Sequence, residues 1–110
     1  MDLSKLARHP GLKGRSVFVS GGGSGIGAAI VESFLDQGSK VAFVDINEAV
    51  SSKLVADLKA PYGTAPLFIP CDLKDIAALQ AAVAKAQNEH GELTVLVNNA
   101  ANDQRHNGTR

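Results

Sequence analysis

The chain contains no tryptophan, one cysteine (Cys71), one tyrosine (Tyr62) and three histidines. A single cysteine excludes an internal disulfide and with it the stapled scaffold of small secreted proteins, and it fits a reducing compartment. Neither sign of charge is in excess, since Lys and Arg total 11 and Asp and Glu total 11. Basic residues are scattered without interleaved aromatics, which argues against nucleic acid as a partner. No apolar run approaches the length needed to span a bilayer. The first twenty residues carry Asp2, Lys5, Arg8, Lys13 and Arg15 and lack the apolar stretch of a signal peptide. These exclusions leave a soluble protein, expected in the cytoplasm, with no membrane partner and no metal site.

Hydrophobic residues make up 45% of the 110 positions and charged ones 20%, the balance of an ordinary globular chain of one domain or less. Glycine is unevenly spent. Five of the eleven glycines fall between positions 21 and 27, in "SGGGSGIG".

Around that cluster the hydrophobic pattern alternates between two periods. Ser16 to Ser20 is a short β-branched and aromatic run, a buried strand by length and flanks. Ile26, Ile30 and Phe34 then recur every four residues, with Val31 and Leu35 beside them, and Gly38 closes the helix. Lys40 to Asp45 reads as a second strand. Asn47 can cap the next helix, in which Val50, Leu54 and Leu58 lie four apart, and "APYGTAP" breaks the pattern. Leu67 to Asp72 supplies a third strand. Asp75 opens an alanine-rich helix with Ile76, Leu79, Val83 and Ala86 on one side, ended by Gly91, and Leu93 to Val97 forms the fourth strand. Four strands alternating with three helices build a parallel sheet with right-handed crossovers, an α/β architecture. Residues 1–14 read as a polar tail, 15–103 as a partial dinucleotide-binding domain, and 104–110 as the start of a substrate-side loop.

The glycines stand between the first strand and the first helix, where a doubly wound sheet places a ligand phosphate. Without side chains the backbone can approach a pyrophosphate, and the helix start attracts the anion. Gly27 would let the helix pack tightly on the strand. A tight turn with no ligand is the competing account, and the strand–turn–helix context weighs against it. A phosphate loop of the nucleotide-triphosphate kind fails, because Ala28 stands where lysine is required. Asp45 follows Gly27 by eighteen residues, the spacing expected of an acid that accepts hydrogen bonds from a ribose. It would repel a 2′-phosphate, and no Arg or Lys in the loop or directly after Asp45 would offset that, so NAD is favoured over NADP. Asp45 could instead cap the following helix, though Asn47 is better placed to do so.

Three segments together resemble the short-chain dehydrogenase/reductase family: the loop from Ser20 to Gly27, "CDL" at Cys71 to Leu73, and "NNAA" at Asn98 to Ala101. The loop is similar to the family's T-G-x-x-x-G-x-G with serine for threonine, and Ala101 departs from the usual glycine of N-N-A-G. The resemblance covers about Leu12 to His106. It implies a Rossmann-type sheet of order 3-2-1-4, with Gly21, Gly23, Ser24, Gly25, Ile26 and Gly27 at the pyrophosphate and nearby ribose. Asp45 and Ile46 would flank the adenosine ribose, Asp72 and Leu73 would bracket the adenine, and Asn98 and Ala100 would contact the cofactor from the fourth strand. The run "NNAANDQRH" also resembles a sugar-oxidising branch that handles aldoses at the anomeric carbon.

The family's hydride transfer uses a tyrosine with a lysine four residues on, a serine and an asparagine. Here the residue four after Tyr62 is Pro66, and Tyr62 falls in the loop before the third strand, so no catalytic residue is assigned. His90 sits at a helix end, where a cation complements the dipole; His9 and His106 read as surface residues. Cys71 reads as a buried filler, and Ser20 and Ser24 have no base beside them. The resemblance therefore implies the cofactor-binding front of a longer, homo-oligomeric enzyme of roughly 250 residues, acting on an alcohol or sugar. A non-catalytic nucleotide-binding module or an inactive truncated product is the alternative. A methyltransferase is disfavoured because the acid expected before its glycine loop would fall at Val19. In the family's order the fourth strand would have a bare outer edge, so the isolated chain is expected to be marginally stable or to associate.

Overall fold

The computed structural model describes residues 14–23 and 25–99; Ser24, Ala100, most of the N-terminal tail and the 104–110 segment lie outside them. The elements are β1 (Ser16–Ser20), α1 (Gly25–Asp36), β2 (Lys40–Asp45), α2 (Glu48–Tyr62), β3 (Leu67–Pro70), α3 (Ile76–His90) and β4 (Val95–Asn98). All strand pairs are parallel and the sheet order is β3-β2-β1-β4, as the expected Rossmann arrangement requires.

Strand alternation sorts the helices onto two faces. Val17 and Val19 of β1 and Val41 and Phe43 of β2 pack with Ile30, Val31, Phe34 and Leu35 of α1 and Leu58 of α2. The intervening Phe18, Ala42 and Val44 pack with Ile69, Cys71 and the small Ala82 and Ala86 of α3. With both faces covered, β1 is buried along its whole length, which is why its three central residues, Val17, Phe18 and Val19, are all apolar without alternation. Phe18, Phe34 and Phe43 are fully enclosed, and each contributes about 1.5–3 kcal/mol by burial. Phe43 also stacks on Phe68, ring centroids 5.2 Å apart.

Capping residues set the helix ends. Asn47 Oδ1 accepts the Val50 N–H at 3.1 Å and Asp75 Oδ1 accepts the Ala78 N–H at 3.1 Å. Three boundaries differ from the sequence reading. α2 continues through Pro61 to Tyr62, because proline's fixed φ is compatible with helix and only one ladder bond is lost in the last turn; Gly63 then donates to Lys59 O at 2.9 Å. Tyr62 is thus the last residue of a helix rather than part of a loop. β3 stops at Pro70, after which Asp72 O accepts the Asp75 N–H and the chain turns. β4 runs two residues later at its start and one later at its end, since its ladder with β1 begins at Val17↔Val95 and Thr94 N–H is already used on Ser16 O.

β4 ends the sheet among the described residues, and Leu96 on it is 70% exposed although its register partner Phe18 is buried. No described helix is long and apolar enough to cross a membrane.

Candidate functional site at the carboxyl ends of the strands

The glycine loop leaves β1 through Gly21, whose φ of +73° is a left-handed conformation that glycine adopts without strain. Gly21 and Gly22 both aim their N–H groups at Val44 O, at 2.8 and 3.3 Å, which lays the loop across the end of β2. A β-carbon on Gly27 would run into the Gly21 carbonyl and come within 2.9 Å of Asn99 Nδ2. The helix therefore packs on the strand end only because that position is bare. At Gly25, also at positive φ (+59°), a β-carbon would meet nothing within 4 Å. The loop thus presents bare backbone to open space at the start of α1, the arrangement that suits a diphosphate.

Asp45 closes the site from the β2 side. Its Oδ2 accepts the Gly23 N–H at 2.9 Å and its Oδ1 accepts the Asn47 N–H at 2.9 Å. Asn47 supplies the cap of α2, so Asp45 is not that helix's cap; it is clamped between the loop and the turn. An ionised carboxylate offers about four acceptor positions, so two hydrogen bonds leave room for a vicinal diol. Ile46, next in the chain, is 71% exposed, and Ile26 and Ile76, in the first turns of α1 and α3, are 64% and 63% exposed. Large apolar side chains at this end of the sheet thus line its rim instead of the core.

The remaining sequence candidates are arranged less uniformly. Asp72 is exposed, and its Oδ1 accepts the Lys74 N–H at 2.9 Å, shaping the turn after β3. Leu73 is half-buried against the α3-side cluster. Asn98 Oδ1 accepts from Ser20 Oγ at 2.9 Å, and Val97 O lies 3.3 Å from the same hydroxyl. Ser24 and Ala100 fall outside the described residues. Asn99, part of the "NNAA" segment but not assigned a contact from sequence, donates from Nδ2 to Gly21 O at 3.1 Å and so pins the loop to the end of β4. Ser51 was equally silent in the sequence: it is fully buried in α2, against Gly23.

Groups that bear on chemistry elsewhere are engaged structurally. Tyr62 donates to Glu32 Oε2 at 2.9 Å, and that bond, followed by burial, raises its pKa. Burial, with Asp75 and Asp72 nearby, raises the Cys71 thiol. At the opposite end of the sheet a cavity of about 210 Å³ is lined by Leu35, Lys40, Tyr62, Thr64 and His90 among others. His90 Nδ1 is buried there without a partner, and burial, then Lys40, lowers its pKa. The helix-end location had suggested a favoured cation; burial and the Lys40 charge act against it.

Comparison with known proteins agrees with this architecture. A family model described as short chain dehydrogenase matches residues 15–109. The "Probable galactose dehydrogenase GalD" of Rhizobium meliloti is 50% identical over 99 residues, covering 90% of this chain and 39% of that protein. The D-xylose 1-dehydrogenase of Caulobacter vibrioides is 45% identical over 100 residues, covering 91% of this chain and 38% of the relative. Among solved structures, a Serratia marcescens short-chain dehydrogenase/reductase mutant superposes with a TM-score of 0.75 at 44% identity, over 83% of this chain and 37% of that one. The chain thus spans less than two fifths of the length of these relatives.

Proposed function

The chain belongs to the short-chain dehydrogenase family, and on that premise we propose that it carries the NAD-binding site of a dehydrogenase acting on an alcohol or sugar. Short-chain dehydrogenases use nicotinamide cofactors. The observation that carries the choice of NAD is the Asp45 carboxylate, held by the Gly23 and Asn47 N–H groups with acceptor capacity to spare. No Lys or Arg stands in the glycine loop or directly after Asp45 to neutralise a 2′-phosphate.

In this reading Gly21, Gly23, Ser24, Gly25, Ile26 and Gly27 receive the pyrophosphate and neighbouring ribose. The bare approach at Gly25 and the start of α1 support that role. Asp45 grips the adenosine ribose, Ile46 covers it, and Asp72 and Leu73 border the adenine. Asn98 and Ala100 contact the cofactor from β4. When bound, NAD supplies nicotinamide C4 as the hydride acceptor. The residues of this chain bind and orient it; none of them is assigned the proton transfer. Tyr62 is given no part in it, a reading supported by its place at the end of α2 and its hydrogen bond to Glu32. The proton-transfer groups, the substrate pocket and the homo-oligomer contacts belong to the whole cytoplasmic enzyme, in which residues 15–103 form part of the dinucleotide-binding domain.

An aldose is the proposed substrate class, supported by the names of the galactose and xylose dehydrogenases that share 50% and 45% identity with this chain. The test is nicotinamide reduction by the full-length protein with a panel of aldoses, polyols and simple alcohols. Oxidation of aldoses in preference to the others is expected. A full-length protein that binds NAD but reduces it with no alcohol or sugar would favour the second reading, a nucleotide-binding module without chemistry.

A further inference from the structure

Ser51, the fourth residue of α2, is 0% exposed, and its hydroxyl makes no hydrogen bond. A helical serine commonly returns its proton to the carbonyl four residues back. Here that carbonyl, Asn47 O, accepts the Ser51 backbone N–H at 3.1 Å, and the hydroxyl does not share it. The Oγ lies instead against the glycine loop. A β-carbon on Gly23 would strike Ser51 Oγ and come within 2.8 Å of Asp45 Oδ2. Three groups therefore converge on one point: bare backbone, a carboxylate oxygen and an unspent O–H donor.

Burying a hydroxyl without a partner is unfavourable, and such a group calls for an explanation. The neighbouring hydrogen bonds supply one. In the structure Asp45 Oδ2 takes its hydrogen bond from Gly23 N–H. A ribose diol brings acceptor lone pairs as well as protons, and Gly23 N–H is the loop donor beside Asp45. Once that N–H turns to a ribose oxygen, Asp45 Oδ2 loses its donor just where Ser51 Oγ is at hand.

We infer that Ser51 is a positioning residue for Asp45, holding in reserve an O–H that donates to Asp45 Oδ2 when the cofactor ribose engages the carboxylate. The inference rests on the NAD site proposed above. It carries a signature that a purely structural serine would not show, because stability and affinity move in opposite directions. Ser51→Ala removes an unsatisfied buried group from the free protein, yet removes a donor from the bound one.

The experiment measures thermal denaturation without nucleotide and calorimetric NAD binding for the full-length protein and its S51A, D45A and D45A/S51A variants. S51A is expected to raise Tm by a few degrees and to weaken NAD binding by about tenfold. In the D45A background, removing the Ser51 hydroxyl should cost no further affinity. Ser51→Gly serves as the second hydroxyl-free variant and is expected to lose affinity equally. Unchanged NAD affinity in S51A, a lowered Tm, or an equal affinity loss in the D45A background would each overturn the role of Ser51. Absence of NAD binding by the unsubstituted protein would instead refute the site itself.

Discussion

Asp45 Oδ2 accepts the backbone N–H of Gly23 at 2.9 Å, joining the tip of β2 to a loop 22 residues earlier in the chain. With Gly21 and Gly22 both donating to Val44 O and Asn99 donating to Gly21 O, the loop is tied to β2 and β4 at once. The proposed phosphate and ribose sites therefore belong to one hydrogen-bonded unit, and binding need not order them separately.

Two glycines of the loop are expected to differ sharply when replaced by alanine. Gly27→Ala drives a β-carbon into the Gly21 backbone carbonyl, which cannot rotate away, and against the Asn99 side-chain amide, and should cost about 3 kcal/mol, the upper end of overpacking penalties. Gly25→Ala meets open space and should cost only the left-handed backbone penalty, about 1–2 kcal/mol. Urea denaturation of both variants checks this through their midpoints at constant m. The reverse order would contradict the packing described.

His90 gives the stability a pH dependence of known sign. Its pKa is lowered from 6.5 by burial, with Lys40 adding to the effect and Glu89 opposing it. The unfolded chain therefore binds the proton more readily than the folded one. The stabilisation is complete above pH 6.5 and is lost as pH falls below that value, until the folded form also protonates. Replacing His90 with Gln should flatten the stability profile in that window, measured by denaturation at pH 7.5 and at successively lower values. A profile unchanged by the substitution would show that other groups set it.

The alternation of strands and helices and the parallel, two-faced core were legible because apolar runs in parallel strands and four-residue spacing in helices directly record burial, whereas the strand order came only through the family resemblance. Asn47 and Asp75 were legible as caps for a similarly local reason. Pro61 misled because a proline in the last turn of a helix gives the same local signal as one beyond it. Asn99 was obscured by strand geometry: two adjacent asparagines look alike in sequence, and only alternation across β4 decides which reaches the loop. Ser51 carries no signal of its own, since its position beneath Gly23 arises from the packing of α2 against a loop far away in sequence.

Leu96 should govern the behaviour of the 110-residue chain on its own. It is 70% exposed on a strand whose outer edge has no partner among the described residues. Leu96→Lys is expected to shift the isolated chain toward monomer in concentration-dependent size exclusion, because a charged edge strand resists pairing. Identical elution of both forms at every concentration would remove Leu96 from that role.

The central claim is tested most directly by calorimetric titration of NAD and NADP into the full-length protein and its Asp45→Ala variant. NAD should bind the unsubstituted protein at least about tenfold more tightly than NADP, and D45A should lose about tenfold or more in NAD affinity, as expected for hydrogen bonds to a charged acceptor. Equal affinity for the two nucleotides, or NAD binding untouched by the loss of the carboxylate, would contradict it.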